Sequence, residues 1–447
     1  MSKHTNMTEG NPVKLLLSFA VPLMFGTIFQ QSFIIVDRII VGHLIGAEAF
    51  SAVGATGSVS MVFTSLCLGI AIGSGIVVSQ FYGANDEDGT ASAIRNGTVI
   101  TILGTIIISI LALFLTKPIL ILLNTPASLL EGSINYMSIS LGGLVVVILY
   151  YIPFSVLRSL GDAKTPIIFL AVCSILNILF DLVFVLIFHT GVEGTAIASL
   201  LAQGAAGVLC FLYAISKHSC FEMALKIAKI DKAMTKQILK ICVPMGFQYS
   251  FIYLSASILQ WVINGYGPGV IGAFTATSQI ENLIQQPFTA LGTAIATYTG
   301  QNIGAGKTER IRQGLFAALK ICMVYSFILL FVFWGFGRMV MNIFVSDADI
   351  IENAVKGIHI TSTFFLALGV GQVLRYLLNG VGDSVYSMIN GIVEIVCRII
   401  FVFTLTNLPY IGQWGIWWTT ALTWCCTASF GVCRYTGGKW KDRSALF

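Results

Sequence analysis

The chain has 447 residues, of which 56% are hydrophobic and only 10% charged, with a mean hydropathy of +0.87. Soluble domains carry about 25% charged residues, so this chain lacks the charge to cover a water-facing surface. The formal net charge of +5 follows from where the loops lie relative to a membrane and does not point to nucleic acid.

About twelve apolar runs are long enough to cross roughly 30 Å of hydrocarbon: 15–36, 52–80, 97–116, 134–157, 165–188, 195–215, 241–264, 271–299, 315–336, 357–379, 385–406 and 414–434. The polar segment Met1–Asn11 has no basic stretch leading to a small-residue cleavage site, so the first span is expected to be retained. That span carries Pro22 and ends near Asp37, which Arg38 follows directly. Adjacent helical residues point about 100° apart, so the two need not pair. Asp37 reads either as a rim acid or as part of a buried site.

The fifth span holds Asn177 and Asp181, one helical turn apart and on one face. A carboxylate and an amide carbonyl suit Na⁺, and equally a hydrogen-bonded, protonated acid. Ser199 in the sixth span can add a hydroxyl. The basic stretch Ser216–Lys240 follows, with Lys217, Lys226, Lys229, Lys232, Lys236 and Lys240. Its Met223–Lys240 part mixes apolar and basic residues at roughly helical spacing, as an interfacial helix or a solvated loop would.

The seventh span carries Pro244, the counterpart of Pro22; both are read as kinks or hinges. The eighth is unusually polar. Thr277, Glu281 and Gln285 share one face, and Ser278, Gln279, Asn282 and Gln286 another. So many polar groups could not all be satisfied in lipid, so Gln279, Glu281, Asn282 and Gln285 are expected to line a substrate cavity. In the eleventh span, Glu394 and Arg398 have the favourable i,i+4 order of a structural ion pair. The cysteines sit mostly in apolar runs without CxxC spacing and read as packing residues.

The two halves repeat. Phe81-Tyr82-Gly83-Ala84 matches Asn302-Ile303-Gly304-Ala305, Leu160-Gly161-Asp162 matches Val381-Gly382-Asp383, and Pro22 matches Pro244. Ala84 and Ala305 are 221 residues apart, as are Asp162 and Asp383; the prolines are 222 apart. The predicted fold is all-α and membrane-integral: twelve transmembrane helices in two six-helix bundles, related by a pseudo-twofold axis along the membrane normal. The predicted divisions are an N-terminal lobe at 1–216, a linker at 217–240 and a C-terminal lobe at 241–447. Most Lys and Arg then fall on one side, with Arg38, Lys117, Arg338 and Lys356 on the other. The asymmetry places both termini in the cytoplasm of a multi-pass plasma-membrane protein.

Several segments resemble the multidrug and toxic compound extrusion (MATE) family: Val36–Gly42, Ser79–Ala84 with its repeat Gly300–Ala305, Arg158–Pro166, Asn177–Asp181 and Gly191–Ala196. Together they cover roughly residues 15 to 434. The resemblance implies a twelve-helix antiporter that exports drugs or other amphiphiles in exchange for H⁺ or Na⁺. In the branch resembling DinF and the Gram-positive drug pumps, the cation site lies in the N-terminal lobe. Asp37, Asn177 and Asp181 match its positions, and Ser199 stands where a threonine is often found. In the NorM-like branch an acid in the seventh helix contributes to a C-terminal site. Here that helix reads Gly246–Ile252 and has none.

The expected function is therefore cation-coupled export of organic cations, drugs or other xenobiotics by a monomer, with Na⁺ or H⁺ held around Asp181 and Asn177. No cofactor is expected. A flippase for a lipid-linked precursor would need unpaired cationic residues for pyrophosphate. An integral-membrane enzyme would need a metal cluster, nucleophile elbow or P-loop, and no such motif is present. The acids are not duplicated with the scaffold: Asn177 maps onto Arg398 and Asp181 onto Val402. The first lobe alone is expected to sense the cation.

Overall fold

The structure, a computed structural model, describes residues 6–40, 47–123, 125–227 and 229–441; the side chains of 32–40, 47–53, 55, 127 and 128 fall outside the description. The described residues are helical almost throughout. The first copy of the repeat comprises α1 (Pro12–Ile40), α2 (Ala47–Gly83), α3 (Glu87–Leu122), α4 (Ala127–Gly142), α5 (Leu144–Ser159), α6 (Lys164–Leu182) and α7 (Gly191–Lys217). The short α8 (Ser219–Lys226) follows. The second copy comprises α9 (Lys232–Ile263), α10 (Pro268–Gly304), α11 (Thr308–Met341), α12 (Ala348–Thr363), α13 (Phe365–Val381), α14 (Ser384–Leu405) and α15 (Gly415–Thr436).

Among the described residues, eight helices are long and apolar enough to span a bilayer, and two bent pairs bring the count to ten. α10 and α15, with 37 and 22 residues, have the length but carry more Thr, Gln and Trp. With them each copy has six crossings. The bent pairs are α4–α5, at 41°, and α12–α13, at 49°. They break at Gly143 and Phe364, where the backbone leaves helical geometry at ψ of 2° and 8°. These positions are 221 residues apart, so the bend is itself duplicated. By contrast α1, α5, α9 and α10 run as continuous helices through Pro22, Pro153, Pro244 and Pro287.

By packing, the chain forms two units, one built on Pro22–Ser250 and the other on Met7–Val21 with Phe251–Phe447. The division falls inside α1 at Pro22 and inside α9 after Ser250. In the first unit, glycines bring helices to backbone contact. A Cβ on Gly69 would lie 2.6 Å from the Cα of Gly246, and one on Gly73 2.6 Å from the Cα of Cys242. Small residues at such crossings let helices gain packing that apolar solvent cannot supply. The basic stretch after α7 is partly helical: Phe221, Ala224, Met234 and Ile238 are buried, while Lys226, Lys229, Lys232 and Lys236 are exposed. Glu222 pairs with Lys226 at 2.6 Å, and that ammonium holds the exposed Glu222 carboxyl below its ordinary pKa. All ten cysteines are free.

In the second unit, residues 7–10 are clamped by the repeated motif after α10. The Gln301 side chain accepts from the Met7 N–H at 3.0 Å, and Asn302 donates to the Met7 carbonyl at 3.0 Å. Arg310 donates to the Gly10 carbonyl at 3.0 Å and Lys307 to that of Thr8 at 3.1 Å.

The Gly-Asp repeats are turn machinery. Gly161 and Gly382 adopt φ of +87° and +88°, a left-handed conformation that glycine takes without steric cost. Each following aspartate caps the next helix. Asp162 accepts from the N–H groups of Lys164 and Thr165 at 3.1 and 3.0 Å, and Asp383 from that of Tyr386 at 3.3 Å. Asp383 also accepts Arg434 Nε and Nη2 at 2.7 and 3.0 Å.

The glycine crossings give a direct test. Gly69→Ala should destabilise the protein by about 1–3 kcal/mol, the usual cost of overpacking, seen as a lower midpoint of thermal unfolding in detergent. Gly57, also in α2, has open space where its Cβ would be and Ala favours a helix over Gly, so Gly57→Ala should not lower the midpoint.

Candidate functional site

In the first unit, α6 and α7 pack side by side and bring together residues separated by a span boundary. Asn177 Nδ2 donates to Ser199 Oγ at 3.1 Å. With its amide nitrogen engaged, Asn177 keeps Oδ1 as the atom available to a cation or an acid proton. Asp181 lies one turn further along α6 and has no solvent exposure. Two residues later the helix widens into a π-helical turn, Val183–Ile187, a local irregularity that often accompanies functional positions. A carboxylate, an amide oxygen and a hydroxyl are hard oxygen donors, the set that suits Na⁺. Asp37 lies in α1, but its side chain is outside the described residues.

In the second unit, the polar stripes of α10 separate. Thr277 and Glu281 are buried in the bundle, whereas Gln279 and Asn282 are exposed and Gln285 is half-buried. Thr277 Oγ1 accepts from the indole N–H of the buried Trp417 at 3.0 Å. The Thr361 hydroxyl and the Arg398 charge both act on the Glu281 carboxyl.

Glu394 and Arg398 approach to 3.5 Å, and Arg375 of α13 reaches the other Glu394 oxygen at 3.5 Å. Arg375 in turn donates to Gln372 at 2.5 Å. An arginine inside the tenth apolar run, three residues after a glutamine, was the available signal for this network. One carboxylate thus answers two guanidinium groups, the buried Arg398 and the partly buried Arg375, and Glu281 supplies a second acid whose charge acts on Arg398.

The MatE family profile matches residues 22–183 and again 244–404. The chain belongs to the MatE family of transporters. The two matches begin 222 residues apart, as the matched prolines do. The chain is 30% identical over 442 residues to the probable multidrug resistance protein YpnP of Bacillus subtilis, covering 98% of both chains. It is 23% identical to the multidrug export protein MepA of Staphylococcus aureus, over 92% of this chain and 91% of that one. The fold matches a solved structure of the outward-facing conformation of a multidrug resistance MATE family transporter with a TM-score of 0.86, at 21% identity, covering 100% of this chain and 99% of that one. The protein is a multi-pass membrane transporter and not an enzyme.

The Glu394 geometry predicts an ordering of variants. Glu394→Gln strands the buried Arg398 and leaves the partly buried Arg375 without its acid, and should cost about 3–5 kcal/mol. Arg375→Gln leaves Glu394 held by Arg398 and should cost less. Thermal unfolding of the purified variants measures both.

Proposed function

We propose that this MatE transporter is a cation-coupled antiporter that exports organic cations, drugs and other amphiphiles by alternating access. The observation that carries this reading is the buried Asp181 beside the Asn177–Ser199 pair. A buried carboxylate can gain or lose a proton or a cation, and each change alters the charge of its unit. The membrane potential acts on such a charge with about 2.3 kcal/mol per 100 mV. The printed names of the relatives, multidrug resistance and multidrug export, support a drug-like cargo.

In this reading Asp37 joins Asp181, Asn177 and Ser199 in the coupling site, which takes Na⁺ or H⁺. Gln279, Glu281, Asn282 and Gln285 contribute to the substrate path, and Pro22 and Pro244 are its hinges. The Glu394–Arg398 contact is structural. The protein acts as a monomer in the plasma membrane with both termini cytoplasmic, in keeping with the loop charge asymmetry.

Efflux of a fluorescent organic cation from vesicles, under H⁺ and Na⁺ gradients imposed separately, tests the proposal. One gradient should drive efflux. Asp37→Asn and Asp181→Asn should each reduce the driven part at least about ten-fold, a loss of roughly 1.4 kcal/mol of coupling. Full gradient-driven efflux in both variants overturns the site.

A further inference from the structure

We propose that residues 7–10 form a releasable latch: docked on the α10–α11 turn they hold the start of α1 on the second unit, and entry of cargo from the cytoplasmic side goes with their release. The inference rests on the alternating-access reading and adds to it a specific gate.

The first observation is how the segment is held. Met7 has no solvent exposure and Thr8 is buried. Gln301 and Asn302, both fully buried, bond the Met7 N–H and the Met7 carbonyl at 3.0 Å each. The Asn302 amide oxygen accepts Arg310 Nε at 3.1 Å, which turns its Nδ2 toward Met7. Arg310 Nη2 donates to the Gly10 carbonyl at 3.0 Å, and Lys307 Nζ to the Thr8 carbonyl at 3.1 Å. Apart from a 3.4 Å approach of Lys307 to the Thr8 hydroxyl, these bonds go to the backbone of the segment. They seat a stretch of chain rather than a particular side chain.

The second observation is that the seat belongs to one copy of the repeat. The left-handed turn is duplicated, at Asn85 with φ of 57° and Gly306 with φ of 69°. At the 221-residue interval Gln80 matches Gln301, but Phe81 stands for Asn302, Asp86 for Lys307 and Gly89 for Arg310. In the first copy Asp86 caps α3, accepting from the Gly89 N–H at 2.8 Å. In the second, α11 begins without a side-chain cap. A local cap that stabilises a helix start is replaced there by two cations that reach residues 299 and 300 positions away.

The third observation is that release strands no buried charge. Lys307 and Arg310 are half-buried, and among the described residues neither forms an ion pair. Their partners are neutral carbonyls, so opening hands both cations to water. A buried ion pair would resist such a step. The held segment runs directly into α1, whose residues from Pro22 onward belong to the first unit. Movement of the units in alternating access therefore pulls on this attachment.

Hydrogen–deuterium exchange of the full-length protein in lipid nanodiscs, without any ion gradient, tests the latch, with ethidium as the cargo probe. Residues 7–10 should exchange at least about ten-fold faster than the buried stretch 373–381 of α13, as a locally opening segment does. Saturating ethidium should speed residues 7–10 several-fold further and leave 373–381 unchanged. Linkage requires the reverse effect. Arg310→Gln and Lys307→Gln each remove one attachment, so each should speed exchange at 7–10 several-fold and bind ethidium several-fold tighter in a fluorescence titration. Arg312→Gln removes an exposed neighbouring charge without touching these bonds and should do neither, which separates the latch from a simple loss of positive charge. Unchanged exchange at 373–381 shows that each variant is folded. Exchange at 7–10 as slow as at 373–381, no response of it to bound ethidium, or variants that exchange faster without binding ethidium more tightly would each overturn the inference. Because no gradient is used, lost coupling in the aspartate variants bears on the antiport reading alone. Absence of ethidium binding bears on the cargo reading, and the exchange comparison still decides whether the segment opens.

Discussion

A charge taken out of water into a bundle costs several kcal/mol unless another group answers it. Much of the internal arrangement of this protein follows from that constraint. With a tenth of its residues charged, the chain places few ionisable groups inside its spans. Asp181 is kept without solvent contact next to an amide whose own nitrogen is already engaged by Ser199. Glu394 is answered twice over, by Arg375 and Arg398. Glu281 stands near the second of these with a hydroxyl beside it. The first arrangement centres on the buried acid Asp181. The second has two acids and two bases whose charges cancel.

These groups can be held still because the scaffold around them is set by backbone geometry. Gly69 and Gly73 allow α2 to touch α9 at the backbone, and the left-handed Gly161 and Gly382 turn the chain into helices that Asp162 and Asp383 then cap. The bends at Gly143 and Phe364 recur at the same interval. The residue at the bend is not conserved between the copies, so the conformation rather than a particular side chain has been kept. Where a glycine stands, the space is filled by Leu200, which a Cβ on Gly143 would strike at 2.2 Å.

The repeat and the spans were legible because hydropathy and turn residues act locally. A run of apolar residues has one favourable place in a bilayer, and Gly-Asp has a clear use between helices. The 4–5 and 12–13 bends were not legible: Gly143 adjoins Gly142 in an apolar run, and Phe364 is an ordinary apolar residue. Prolines drew attention instead, and the helices pass through them. Asn177, Asp181 and Ser199 were readable as a set because two lie on one face and the third in the next span. The role of Gln301 and Asn302 in clamping residues 7–10 was hidden, because that contact joins positions nearly 300 apart. Arg375 was missed for a related reason. Its partner Glu394 lies on another helix, and a sequence shows an i,i+4 pair more readily than a pair between helices.

The difference between the copies has a physical consequence. Duplication supplies two similar bundles, and similar bundles can move through similar paths. Replacing the Asn177 position by Arg398 and the Asp181 position by Val402 removes the acid and introduces a guanidinium in its place. That guanidinium then demands anions, which Glu394 and Glu281 provide from different helices, and Arg375 leaves Glu394 only partly available. The divergence of one helix, α14 from α6, therefore gives the two copies different charge compositions on a shared scaffold.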